Sequence, residues 1–121
     1  MPHVRIDMHR ELKPRMSEIS DAVHAGLVSG LEMPPEDLFQ VFRLHDEGEL
    51  VYSRTFPDAD RTDIVFIEIV ASPGYTDEQK QSGMAAVADE VAKVGIKKDN
   101  LLLVLVETGP GAAWYAPAKE S

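Results

Sequence analysis

The feature that most constrains this chain is a strand–helix–strand plan that runs once over about residues 2–52 and restarts over about 62–107. In the first half Val4, Ile6 and Met8 alternate with His3, Arg5 and Asp7, the period of two that turns one face of a strand inward. From Pro14 the spacing changes to Met16, Ile19, Val23 and Leu27, one face of a helix that runs to about Leu31, with Pro14 suited to its first turn. Met33-Pro34-Pro35 stops that helix, and residues 38–44 read as a strand rich in aromatic and branched side chains. A turn at 45–49 then leads to Leu50-Val51-Tyr52, expected to be a short strand. Beyond the polar linker 57–63 the plan repeats. Residues 64–70 form a strand apolar enough to be buried on both faces, closed by Pro73-Gly74. Thr76 and Gln79 have the spacing of a capping box, and Met84, Val87, Val91 and Val94 carry the helical stripe that Gly95 ends. Residues 101–106 are a second very apolar strand, followed by an irregular tail over 108–121.

Two such units predict an α/β (α+β) fold: a tandem βαβ repeat forming a four-stranded sheet with two helices on one face. The 121 residues suit a single domain. Two helices cannot hide both sides of so apolar a sheet, so the opposite face is expected to be covered by further copies of the chain.

Composition narrows the partners. Twelve basic against 21 acidic residues leave a formal charge of −9, which repels a phosphate backbone, so no nucleic-acid partner is expected. No apolar run approaches the roughly 20 residues that span a bilayer, and the first residues alternate polar and apolar rather than forming a signal-peptide core. No membrane partner and a cytoplasmic location are expected. Zero cysteines exclude disulfides, thiolate catalysis and cysteine-based metal sites, while His3, His9 and His45 are scattered without metal-site spacing. Neither metal nor cofactor is expected.

Chemistry must then come from elsewhere, and Pro2 is the most informative residue. Removal of Met1 ahead of a small second residue leaves a secondary amine at the N-terminus, able to act as base or nucleophile. An α-amino group titrates near pH ~8, and an apolar pocket lowers that by disfavouring the charged form. The plainer reading of Pro2 is an ordinary residue after the initiator.

A proline followed at once by an alternating strand, in a cysteine-free chain of two βαβ halves, resembles the tautomerase superfamily over nearly its whole length. It is most similar to the malonate semialdehyde decarboxylase-like branch, through Asp21-Ala22-Val23-His24, Pro34-Pro35-Glu36-Asp37-Leu38-Phe39-Gln40, His45, Gly48-Glu49-Leu50, Thr76-Asp77-Glu78-Gln79-Lys80 and Trp114. The resemblance implies a homotrimer with a site around each N-terminal proline, built partly from neighbouring subunits. It implies that Asp37 sits beside the catalytic proline, where it orients a water or holds the ammonium and raises its pKa; a junction residue satisfying local backbone groups is the alternative. It implies an apolar pocket wall at Trp114 and Tyr115, which otherwise pin the tail by burial. His24 corresponds to a substrate-binding position in a dehalogenase-like branch, or else makes one structural hydrogen bond on the helix flank.

The chain departs from the family at Gly74-Tyr75-Thr76. Relatives place arginines around this segment to hold a substrate carboxylate, whereas Tyr75 stands there and Asp77 follows. Tyr75 is a candidate donor to a carbonyl or enol oxygen. Three readings follow from the resemblance. The first is a tautomerase-like enzyme in which the Pro2 amine transfers a proton on a small enol or oxo acid. The second is a decarboxylase or hydratase of a small 3-oxo or unsaturated acid with protonated proline. The third is a non-catalytic trimeric binding protein of the same fold.

Overall fold

In a computed structural model, residues 3–110 and 113–117 are described. Strand β1 (His3–His9) is followed by a short 3-10 helix (Arg10–Arg15) and α1 (Met16–Leu31), and β2 (Gln40–His45) completes the first half. The second half is β3 (Val65–Ala71), α2 (Asp77–Lys93), a 3-10 turn (Lys98–Asn100) and β4 (Leu101–Glu107). The sheet order is β2-β1-β3-β4. Strands pair in parallel within each half, and β1 meets β3 antiparallel at the centre. The repeat is exact in register: Val4 faces Gln40 and Val65 faces Leu101, a partner 36 positions on in both halves.

Alternation explains which face is covered. Val4, Ile6 and Met8 of β1 and Val65, Ile67 and Ile69 of β3 are buried against Ile19, Val23 and Leu27 of α1 and Val87 and Val91 of α2. Fully burying a side chain of this kind contributes roughly 1.5–3 kcal/mol. Glycines let the helices approach. A Cβ on Gly26 would lie 2.5 Å from the Val87 Cα, and one on Gly30 would lie 2.7 Å from the Gly83 Cα. Helix α2 opens with the expected capping box: the Thr76 hydroxyl accepts from the Gln79 N–H at 3.1 Å, and Gln79 Oε1 accepts from the Thr76 N–H at 2.8 Å.

Three local expectations are corrected. Pro14 lies inside the 3-10 helix Arg10–Arg15 and not in the first turn of α1, because a short i→i+3 turn tolerates its missing N–H while the chain swings from the sheet onto its face. Leu50-Val51-Tyr52 is not a strand. The Asp46–Glu49 turn carries the segment off the end of β2 with no strand to pair it, and Val51 is 87% exposed. Strand β3 is buried on one face alone: Glu68 is exposed and Phe66 and Val70 are half-buried on the side away from the helices.

Candidate active site

Topology brings four segments to one end of the sheet. Because β1 and β2 run parallel and β3 and β4 run the opposite way, that end collects the start of β1, the loop before β2, the loop after β3 and the chain after β4. Pro2 lies outside the described residues and precedes His3, the first residue of β1, in the chain.

The loop before β2 is a built turn. Glu32 ends α1 in the left-handed region (φ 54°), Met33 is buried, the Asp37 N–H donates to the Pro34 carbonyl at 3.0 Å, and the Leu38 N–H donates to Glu36 at 2.9 Å. A 2.9 Å bond from the Val4 N–H to the Phe39 carbonyl fastens the turn to β1. His24 holds it from the helix, its Nε2–H donating to the Pro35 carbonyl at 2.6 Å. Val4, His24, Leu27, Met33 and Asp37 thus line one small hollow. Inside it, Oδ1 of Asp37 is buried and has no hydrogen-bond partner among the described residues. An unmade bond to a buried carboxylate oxygen is costly, so this atom calls for a donor.

Tyr75 follows β3 after Gly74, whose φ of 117° is a conformation that favours glycine. Its ring packs against the core, and its hydroxyl makes no hydrogen bond among the described residues. Four residues beyond the α2 N-cap Thr76, Lys80 is already engaged, meeting Glu107 at 2.7 Å and Asp77 at 3.5 Å. The hydrogen bond to Glu107 holds the Lys80 pKa above its ordinary value. Beyond β4, the Thr108 N–H continues the ladder to Ala71 at 2.8 Å, while its buried hydroxyl lacks a partner among the described residues. Trp114 is 46% exposed and Tyr115 89% exposed, so neither is packed into a wall within one chain.

The structure therefore places Asp37 and His24 together beside the start of β1, puts Tyr75 at the same end of the sheet, and leaves Trp114 and Tyr115 on the surface. No group of acidic and histidine side chains suited to a metal is found among the described residues. Sequence reasoning missed the ionic cluster on the bare face: Asp7 accepts from His45 Nε2 at 2.7 Å and from Arg43 at 2.9 Å. Burial alone would raise the Asp7 carboxyl, but the hydrogen bonds and charges of His45 and Arg43 outweigh it and hold the pKa below the ordinary 3.8. Their common outward parity on paired strands was the available signal. His9 and Asp63 form a second pair at 2.6 Å at the opposite end of the sheet.

Comparison with known proteins points one way. A family model described as tautomerase enzyme matches residues 37–114, more than half of the chain. The Bacillus subtilis (strain 168) protein described as "Probable tautomerase YusQ" is 24% identical over 108 residues, covering 87% of this chain and 85% of that one. The structure of FG41 malonate semialdehyde decarboxylase inhibited by 3-bromopropiolate superposes with a TM-score of 0.85 at 26% identity, over 96% of this chain and 90% of that one. A fused 4-OT solved as a symmetric trimer superposes with a TM-score of 0.78 at 13% identity, over 98% and 94% of the two chains, a likeness of fold. The family, the decarboxylase-like branch and the fold read from the sequence all recur in these matches.

Proposed function

This chain belongs to the tautomerase enzyme family, and on that premise we propose that the amine of Pro2, freed by removal of Met1, moves a proton between carbon and oxygen of a small enol or oxo acid. The observation that carries the reading is the buried, donor-less Oδ1 of Asp37. Two residues of extended chain reach about 7 Å, so Pro2 is within reach of the hollow that Val4 lines with Asp37. In this reading the amine supplies the missing donor. Tyr75 donates to the developing enolate oxygen, Trp114 and Tyr115 close the site against water, and His24 contributes its remaining ring nitrogen while holding the Asp37 turn.

The same carboxylate favours a second reading. A negative charge beside the amine stabilises its protonated form, which would serve as an acid in decarboxylation or hydration of a 3-oxo or unsaturated acid, with Asp37 orienting the water. The likeness to malonate semialdehyde decarboxylase supports it. Nitrogen-15 titration of the mature Pro2 nitrogen separates the two. A pKa below the ordinary value of ~8 means a base and tautomerisation; one above it, falling on Asp37→Asn, means an acid and the lyase reading. Either way Pro2→Ala is expected to cost at least about 100-fold in turnover with the fold intact, and unchanged turnover overturns both readings.

The assembly proposed with this site is a homotrimer. Support comes from the bare face of β4, where Leu102, Val104 and Val106 are 43–45% exposed in a row, and from the trimeric fused 4-OT of the same fold. Neither nucleic acid nor membrane enters as a partner.

A further inference from the structure

The end of the sheet that holds the Asp37 hollow is acidic. Glu32, Glu36 and Asp37 come from the loop before β2, Asp77 and Glu78 from the first turn of α2, and Glu107 from the last position of β4. Strand directions send most of the chain's cations elsewhere. β1 and β2 finish at the other end of the sheet, and β3 and β4 start there. The 3-10 helix Arg10–Arg15, the β2–β3 connection with Arg54 and Arg61, and the stretch between α2 and β4 with Lys93, Lys97 and Lys98 therefore lie away from the hollow.

The positive charge that remains nearby among the described residues is engaged. Lys80 lies between Glu107 and Asp77. Arg5 and Arg43 stand on the bare face that another copy would meet, and they already face Glu68 at 4.0 Å and Asp7 at 2.9 Å, so that face brings no unpaired arginine to a neighbouring site. Of the imidazoles, His24 is committed to the Pro35 carbonyl, and His3 opens β1 as a group whose charge depends on pH. Glu32, Glu36, Asp37 and Glu78, by contrast, have no ion-pair partner among the described residues.

On the proline reading, on which this inference rests, we propose that the site selects a small uncharged enolisable carbonyl compound and discriminates against an oxo acid. A substrate carboxylate is held by a bidentate guanidinium or a free ammonium, and the described residues leave neither at this end. Charge during the reaction favours the same class. When the neutral Pro2 amine takes a proton from carbon, the C–H electron pair passes into the enolate and an ammonium forms. A neutral substrate thus gives a pair with no net charge, its ammonium beside the Asp37 carboxylate, and the proton then passes from nitrogen to oxygen to release the enol. The same step on an oxo acid carries one more carboxylate past the unpaired ones at every stage, a repulsion that a water-poor site strengthens.

Methyl acetoacetate and acetoacetate are the probes, differing by the charge alone at the carboxyl end. Deuterium exchange of their C2 hydrogens is followed by proton NMR in the full-length protein after removal of Met1, each rate divided by the uncatalysed exchange of the same compound in the same buffer. The ester should be accelerated at least about tenfold more than the acid, as like-charge contact suppresses the wrong partner, and Pro2→Ala should abolish the acceleration. Glu36→Lys, at an exposed position next to Asp37, should raise the acceleration of the acid several-fold and leave the ester within about twofold. Equal or greater acceleration of the acid, lost in Pro2→Ala, overturns the substrate class while the proline reading stands. An ester preference that Glu36→Lys leaves unchanged overturns charge as its cause and the inference with it. Acceleration of neither compound, or exchange that survives Pro2→Ala, overturns the proline reading and everything that rests on it.

Discussion

The two halves of the molecule share one register and differ on the face the helices leave bare. In the first half that face carries Arg5, Asp7, Arg43 and His45, tied by the Asp7 bonds to Arg43 and His45. In the second it carries Phe66, Val70, Leu102, Val104 and Val106, broken only by Glu68. The inward residues, by contrast, are interchangeable in kind: Ile6 and Ile67 face one another at the sheet centre and are each at most 1% exposed. A repeated backbone thus fixes the alternation but not what the outward positions hold, and the outward positions are where the halves have taken different tasks.

The sharpest way to test that equivalence is to cut both centres. Ile6→Ala and Ile67→Ala should each lose about 2–5 kcal/mol of unfolding free energy, and agree within about 1 kcal/mol, because both leave a cavity in the same layer. Chemical denaturation measures both. A loss confined to one half would mean that the core is not shared.

The helices break the symmetry next. At Gly26 a new Cβ meets the Val87 backbone at 2.5 Å, which cannot yield, whereas at Gly83 it meets the Leu31 side chain, Cδ2 at 2.6 Å and Cγ at 2.9 Å, which must repack within the core. Gly26→Ala should therefore cost about 2 kcal/mol by forcing the helices apart, and Gly83→Ala less, about 1 kcal/mol, since alanine's better helix propensity of about 1 kcal/mol offsets part of the repacking. Equal costs would show that the Leu31 side chain is held as firmly as the Val87 backbone, or that neither is.

These glycines mark where the sequence stops being legible. Alternation at Val4, Ile6 and Met8, the stripe of α1 and the Thr76–Gln79 cap are local patterns with one structural solution, and β1, α1 and α2 follow from them. Gly26 and Gly83 have no signature until two helices face each other, because the atom they make room for lies in the other half. The apolar run 50–52 looked like a strand because pairing partners are not written in a three-residue segment. At the site, Asp37 and Tyr75 share an end of the sheet because strand directions put loops there, which the repeat implies. Trp114 and Tyr115 lie in a Gly/Pro-rich tail with no period, so nothing local fixes where their rings go.

The polar half should announce itself in acid. The Asp7 pKa is lowered in the folded state, so its contribution is present above the unfolded value near 3.8 and is lost as pH falls through the lower folded value. Asp7→Asn should cost about 1 kcal/mol near neutrality, the partial exposure of Arg43 keeping the figure small, and should flatten the decline of stability below about pH 4. Stability profiles of wild type and variant that stay parallel through that range would remove Asp7 as its source.

The smallest expected effect on the single chain is the most telling for assembly. Val104 sits in the middle of the outward row of β4, flanked by Leu102 and Val106, and is 45% exposed. Val104→Lys should change the folding free energy of an isolated chain by no more than about 0.5 kcal/mol, because nothing in that chain covers the position. If the apolar half is what the copies share, the same change places an ammonium in an apolar contact and should drive the protein to monomer at concentrations where the wild type assembles, by sedimentation or light scattering. Val41→Lys, the outward valine of β2 in the polar half at 50% exposure, should leave the assembly in place. Dissociation by Val41→Lys and not by Val104→Lys would put the subunit contact on the charged strands, and the ionic cluster at Asp7 would then be an interface device rather than a solvated face.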